Sequence, residues 1–143
     1  GERFINLMEF DEFMTASHVR YVRPDMCVAG GITAGKKIAA LAEAKSIYII
    51  PHNPLGPIST AACLQLDACI PNFEIQEYPV DDEGHCRLDK EMKQPFVIKN
   101  GYIQIPDGPG LGIELLDDIG TVFPFKGRYG KFAQHEDGSI VDR

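Results

Sequence analysis

Ile47-Tyr48-Ile49-Ile50-Pro51-His52-Asn53-Pro54-Leu55-Gly56-Pro57 is the stretch on which the fold turns. Its first four residues form a continuous apolar run, the pattern of a parallel strand covered on both faces. Three prolines then stiffen the loop, so the histidine at the end of the run is held in place. A second such place lies one β/α unit upstream, where Tyr21-Val22-Arg23-Pro24 runs into Asp25 and Gly30-Gly31 opens the next turn. A carboxylate and an imidazole at neighbouring strand ends suit proton transfer. An Asp set against a His fixes the tautomer of the ring and raises its basicity.

Outward from these two places the chain alternates. Residues 10–17 read as a helix with Phe10, Phe13 and Met14 on one face, and residues 19–23 as a short strand. Thr33 is an expected N-cap for a helix with Ala34, Ile38, Leu41 and Ala42 on one stripe. Ser59 is an expected cap for a helix over 60–66, and residues 73–77 read as the next strand. Strand, helix, strand, helix, strand at this spacing predicts an α/β fold with a parallel sheet or barrel. The character changes after Tyr78. Residues 80–93 are polar and read as a loop or loose helix. Lys99-Asn100-Gly101, flanked by Phe96-Val97-Ile98 and Tyr102-Ile103-Gln104-Ile105, predicts a hairpin with Asn-Gly in the turn. Pro106-Asp107-Gly108-Pro109-Gly110-Leu111-Gly112 is a tight connection, and the last twenty residues read as a tail on another surface.

The 143 residues suffice for one domain with a real core. The formal net charge of -7 and the lack of a basic run argue against nucleic acid and anionic membrane as partners. No apolar stretch approaches the roughly 20 residues a spanning helix needs, and Gly1-Glu2-Arg3-Phe4 has no signal-peptide layout, so a cytoplasmic location is expected. Cys27, Cys63, Cys69 and Cys86 include no Cys-x-x-Cys pair and read as small buried hydrophobes in a reducing compartment. Histidines and cysteines do not cluster at zinc-ligand spacing. Gly30 and Gly31 read as backbone geometry, since no Gly-x-Gly-x-x-Gly follows a strand. His18, His85 and His135 sit in polar surroundings and read as surface residues.

In β/α barrels, catalytic side chains come from the C-terminal ends of several strands. Glu2, Asp25, His52 and Glu77 occupy such places. The order and spacing of Gly1-Glu2-Arg3, Arg23-Pro24-Asp25, Gly30-Gly31-Ile32-Thr33 and the Pro51 to Pro57 stretch resemble the enolase superfamily. The likeness is to its mandelate racemase/muconate lactonizing enzyme-like branch, nearest to sugar-acid dehydratases of the galactonate dehydratase type. Ala61-Ala62-Cys63-Leu64-Gln65, Gln76-Glu77, Pro109-Gly110-Leu111-Gly112 and His135-Glu136-Asp137-Gly138-Ser139 extend it over essentially the whole chain.

The resemblance implies the C-terminal part of a TIM-type (β/α) barrel followed by a hairpin and tail. Residues 1–79 are then the last β/α units, and residues 80–143 a segment that packs on the barrel or on a capping domain. It implies magnesium as cofactor, with Glu2 the third of three carboxylate ligands. It implies an acid-sugar substrate whose α-proton is exchanged by His52, oriented by Asp25, to give an enediolate. Loss of the β-hydroxyl then yields a 2-keto-3-deoxy acid. Glu77 is expected to donate a hydrogen bond to the substrate carboxylate, which requires a raised pKa. The other two metal ligands, the early barrel strands and the N-terminal capping domain belong to the rest of a parent enzyme, a homo-oligomer by expectation. Racemisation, epimerisation or cycloisomerisation shares the enediolate step and is the alternative chemistry. A half-barrel that serves assembly or binding without turnover is the alternative of another class.

Overall fold

The first helix, α1 (Leu7–Ala16), begins three residues before the sequence led us to expect. The cause is a capping box. Asn6 Oδ1 accepts from the Glu9 amide at 3.1 Å, and Glu9 Oε2 accepts from the Asn6 amide at 3.2 Å. α1 buries Phe10 and Met14, the stripe the periodicity predicts. The computed structural model describes residues 1–80, 89–127, 134–139 and 141. Most of the 80–93 segment and much of the tail, with His85 and Cys86, lie outside the described residues.

β1 (Tyr21–Val22) and β2 (Tyr48–Ile49) pair in parallel, with Tyr21 opposite Tyr48 and Val22 opposite Ile49. Single bridges extend the pairing: Asp25 with His52, and Ile49 with Phe73. Three parallel segments therefore lie side by side, joined by α2 (Gly31–Ala44) and α3 (Pro57–Asp67). This is the β/α alternation read from the sequence. Among the described residues it does not close into a barrel.

Both expected helix caps move. Gly30 and Gly31 have φ of +103° and +76°, and the Gly31 amide returns to Met26 O at 3.0 Å. This left-handed turn suits glycine and starts α2 ahead of Thr33, which falls in its first turn. α3 starts at Pro57, whose missing N–H is an orphan donor position anyway, so Ser59 lies inside the helix.

Successive strand residues point to opposite faces. Val22, Ile47 and Ile49 go to a core completed by Phe10, Ile38, Ala42, Cys63 and Leu66. Helix α2 comes close here: a Cβ on Gly35 would meet Met26 Sδ at 2.6 Å and Leu66 at 3.1 Å. Buried Asn72 ties the layers, its amide donating to Ala39 O at 3.0 Å and Ile47 O at 2.9 Å. Tyr48 is 39% exposed, so residues 47–50 are not covered on both faces as expected. The uncovered face is the one on which Tyr21 and Tyr48 stand, and it runs on to Asp25 and His52 at the same strand period.

Residues 73–77 do not form the expected strand. Only Phe73 is bridged, to Ile49. The predicted hairpin is present: β3 (Ile98–Lys99) pairs antiparallel with β4 (Tyr102–Ile103). Met92, Phe96, Ile103, Leu111 and Leu115 pack against Ala61 and Leu64 of α3 as a second, smaller cluster. A single turn, α4 (Ile119–Val122), follows.

Candidate active site at the strand ends

The Asp25–His52 bridge sets two strand ends in register, and the side chains meet above it. His52 Nδ1 lies 2.9 Å from Asp25 Oδ2. The His52 amide also donates to Pro24 O at 3.1 Å, so the ring is fixed through its backbone as well. Asp25 is 2% exposed, and its other oxygen accepts from the Cys27 amide at 2.7 Å. With its other oxygen held by the Cys27 amide, Asp25 accepts a hydrogen bond from His52 Nδ1–H. The Nε2 lone pair is then left for chemistry. Nε2 faces Glu2 Oε2 at 3.8 Å.

Glu77 joins the group from the third segment. Its Oε2 accepts from the Asn53 amide at 2.8 Å and from Arg23 Nη2 at 2.5 Å. Arg23 Nη1 also lies 3.6 Å from Glu2 Oε2. All four residues read from the sequence are thus brought together around Arg23 and His52. The protonation expected of Glu77 is not. Burial pushes its pKa up, but the Asn53 amide and the Arg23 guanidinium outweigh this, with help from His52, and hold the carboxyl below its ordinary value. Glu77 is an acceptor in this setting.

Sequence reasoning missed Arg23 and Asn53. Arg23 stands two residues before Asp25 in an extended stretch, hence on the same face, and that signal was available. Asn53 is fully buried beside His52. Its side-chain amide donates to Thr60 Oγ1 at 2.8 Å and to Glu77 O at 3.1 Å, tying the loop to α3 and to the third segment. Buried cysteines were expected, but among the described ones only Cys63 is buried. Burial pushes its thiol up to about 12, so it is inert, whereas Cys27 and Cys69 are exposed.

Among the described residues no group of three or more His, Cys, Asp or Glu side chains is arranged to hold a metal ion. Glu2 offers one carboxylate, a hard ligand that suits magnesium, and its Oε2 already faces Arg23 and His52. The described residues do not by themselves make a magnesium site.

The family described as Enolase C-terminal domain-like matches residues 1–119. The chain belongs to the enolase superfamily. A D-galactonate dehydratase of Ralstonia pickettii is 40% identical over 119 residues, covering 80% of this chain and 31% of that protein. An enolase from Agrobacterium radiobacter, solved with sodium and L-malate, superposes with a TM-score of 0.83 at 31% identity, over 98% of this chain and 38% of its own. An enolase from Pantoea ananatis with bound D-gluconate and magnesium gives 0.81 at 32% identity, over 98% of this chain and 34% of its own. The chain therefore spans about a third of the length of these relatives. It matches the barrel-type C-terminal domain of the superfamily. Among the described residues, no helix is long and apolar enough to cross a membrane.

Proposed function

We propose that this chain is the C-terminal part of a magnesium-dependent dehydratase that acts on an acid sugar and releases water and a 2-keto-3-deoxy acid. The observation that carries the reading is the placement of His52, with Nδ1 held by Asp25 at 2.9 Å and Nε2 turned toward the Glu2 carboxylate. A D-galactonate dehydratase among the relatives and an enolase that holds D-gluconate and magnesium support the substrate class.

In this reading His52 takes the substrate α-proton on Nε2. Asp25 keeps the ring oriented and stabilises its positive charge while the proton is held. The enediolate then expels the β-hydroxyl, which takes the proton held by His52 and leaves as water, and the enol so formed tautomerises to the 2-keto-3-deoxy acid. Glu77, kept ionised by Arg23 and Asn53, accepts a hydrogen bond from a substrate hydroxyl. Magnesium, when bound, neutralises the substrate carboxylate and so acidifies the α-proton. Glu2 supplies one ligand, and the others come from the parent enzyme beyond this chain. Residues 1–79 contribute the last barrel units, residues 80–143 pack on the barrel or capping domain, and the parent is a cytoplasmic oligomer.

The test is to incubate the full-length enzyme with D-galactonate, D-gluconate and a wider panel of acid sugars, and to assay for 2-keto-3-deoxy product. Exchange of the α-proton with solvent deuterium without dehydration points to the racemase or epimerase alternative. Neither exchange nor product on any acid leaves the non-catalytic module. Isothermal titration of the 143-residue chain with magnesium should show weak binding or none. A tight one-to-one site would mean that the ligand set is misassigned.

A further inference from the structure

Arg23 leaves the same face of its strand as Asp25, on a segment that neighbours the one carrying His52. Glu77 stands at the end of the segment on the far side of His52. Arg23 therefore reaches past the His52 segment to meet Glu77 Oε2 at 2.5 Å, while its other terminal nitrogen lies 3.6 Å from Glu2 Oε2. One planar guanidinium spans carboxylates that come from opposite ends of the site.

The contacts on Glu77 are one-sided. The Asn53 amide and Arg23 both address Oε2, so that oxygen is gripped from two directions and, among the described residues, Oε1 is the one left to face a substrate. The Asn53 amide alone leaves Oε2 free to pivot about one contact. The Arg23 contact supplies the second point. A pair this exposed contributes little to folding. Its use lies in orientation: the planar guanidinium sets one nitrogen on Glu77 Oε2 while the other stays near Glu2 Oε2, a span that a lysine ammonium, a single point charge, does not reproduce.

We propose that Arg23 is a positioning residue of this site, tying Glu77 to Glu2 past the strand that carries His52 so that the Glu77 carboxylate presents a fixed oxygen to the substrate. The inference rests on the dehydratase reading for its kinetic arm only.

The experiment compares full-length wild type with Arg23→Met, Arg23→Lys, Glu77→Gln and the Arg23→Met/Glu77→Gln double variant, using D-galactonate or whichever acid sugar wild type dehydrates. Arg23→Met should lower kcat by about 10²-fold, the cost of misplacing a reacting group by about 1 Å. KM and the melting temperature should change little. Arg23→Lys should recover only part of the loss. The double variant should be scarcely slower than the worse single variant, because the two residues act as a unit. Multiplicative losses, or a loss confined to the melting temperature, would overturn the proposal. A crystal structure of full-length Arg23→Met decides independently of turnover: Glu77 should rotate off the Asn53 amide, and an unmoved carboxylate would overturn the proposal as well. If wild type dehydrates no acid sugar, the functional reading fails, and the crystal structure still decides the role of Arg23.

Discussion

Two buried or half-buried aspartates, one at the strand ends and one in α3, stand in opposite circumstances. Asp25, at the strand ends, has one oxygen on the His52 ring and the other on the Cys27 amide. Asp67, in the last turn of α3, has neither oxygen hydrogen-bonded among the described residues, although both are buried. It lines a cavity of about 590 Å³ walled mainly by Leu64, Ile75, Tyr78, Tyr102 and Ile105. Burial alone pushes its pKa up to about 7. The comparison separates two ways in which a chain can carry a buried acid. At the strand ends, the local sequence supplies every donor: a backbone turn after Asp25 and the next β/α unit's histidine. On the hairpin side, the described neighbours supply mostly apolar walls and no hydrogen bond, and burial raises the pKa of the acid instead.

The largest effect that could break this comparison lies at His52. His52→Asn keeps a side chain that can hydrogen-bond to Asp25 and removes the base. In the full-length enzyme it should lower turnover by roughly 10²–10⁴-fold, the usual contribution of one general acid–base group. Exchange of the substrate α-proton with deuterium should fall with it. Retained exchange would mean that the Asp25–His52 pair is a structural contact only, and the two aspartates would then differ in partners but not in use.

Asp67→Asn should be the next largest, and it acts in the opposite direction. The folded-state pKa of Asp67 lies above its unfolded value of 3.8, at about 7. The folded chain therefore binds the extra proton between these limits. Stability falls as pH rises through this window, because burying the ionised form becomes part of folding. The penalty is absent below pH 3.8 and complete above about 7. Removing the charge should raise the stability of the isolated chain at pH 8 by about 2 kcal/mol, roughly half of what 1.36 kcal/mol for each pKa unit implies. It should do little near pH 4. Urea midpoints at the two pH values check this. Equal midpoints for variant and wild type at pH 8 would show that a donor reaches Asp67 in solution, which would erase the contrast with Asp25.

How much of this could be read from the sequence follows the same division. Strand ends were legible because an apolar run stopped by proline leaves little choice of backbone, and the Asn100-Gly101 turn was legible for a similar reason. The Asp25–His52 contact followed from the spacing of one β/α unit. Helix starts were not legible where glycine and proline decided them: Thr33 and Ser59 have good capping chemistry, but the left-handed pair at Gly30 and Gly31 and the proline at Pro57 act first. The Asn6-x-x-Glu9 capping box was there to be read and was overlooked. Residues 73–77 carry a strand's composition, yet they pair with β2 through Phe73 alone, since propensity does not set how far a pairing runs. The state of Glu77 depends on Arg23, 54 positions away in the chain, and no local pattern reports such a meeting. Asp67 could not have been singled out either, since an aspartate in a helix is ordinarily solvated.

The smallest effect sharpens the comparison at the hairpin turn, whose Gly101 stands at the wall of the Asp67 cavity. Asn100 and Gly101 have φ of +54° and +80°, the left-handed pair that a two-residue hairpin turn requires. Space is not the constraint at Gly101: a Cβ there would meet nothing within 4 Å. The cost of Gly101→Ala is therefore conformational, about 1 kcal/mol. It should appear locally, as faster amide hydrogen exchange at Gln104, whose N–H donates to Val97 O at 2.9 Å beside the turn. In the full-length enzyme, α-proton exchange through His52 should not change. The second cluster joins the hairpin to α3 through Ile103, Ala61 and Leu64, whereas His52 is held by Pro24, Asp25 and the core beneath. Loss of α-proton exchange in Gly101→Ala would show that the two sides of α3 are coupled. The contrast between Asp25 and Asp67 would then describe one cooperative unit.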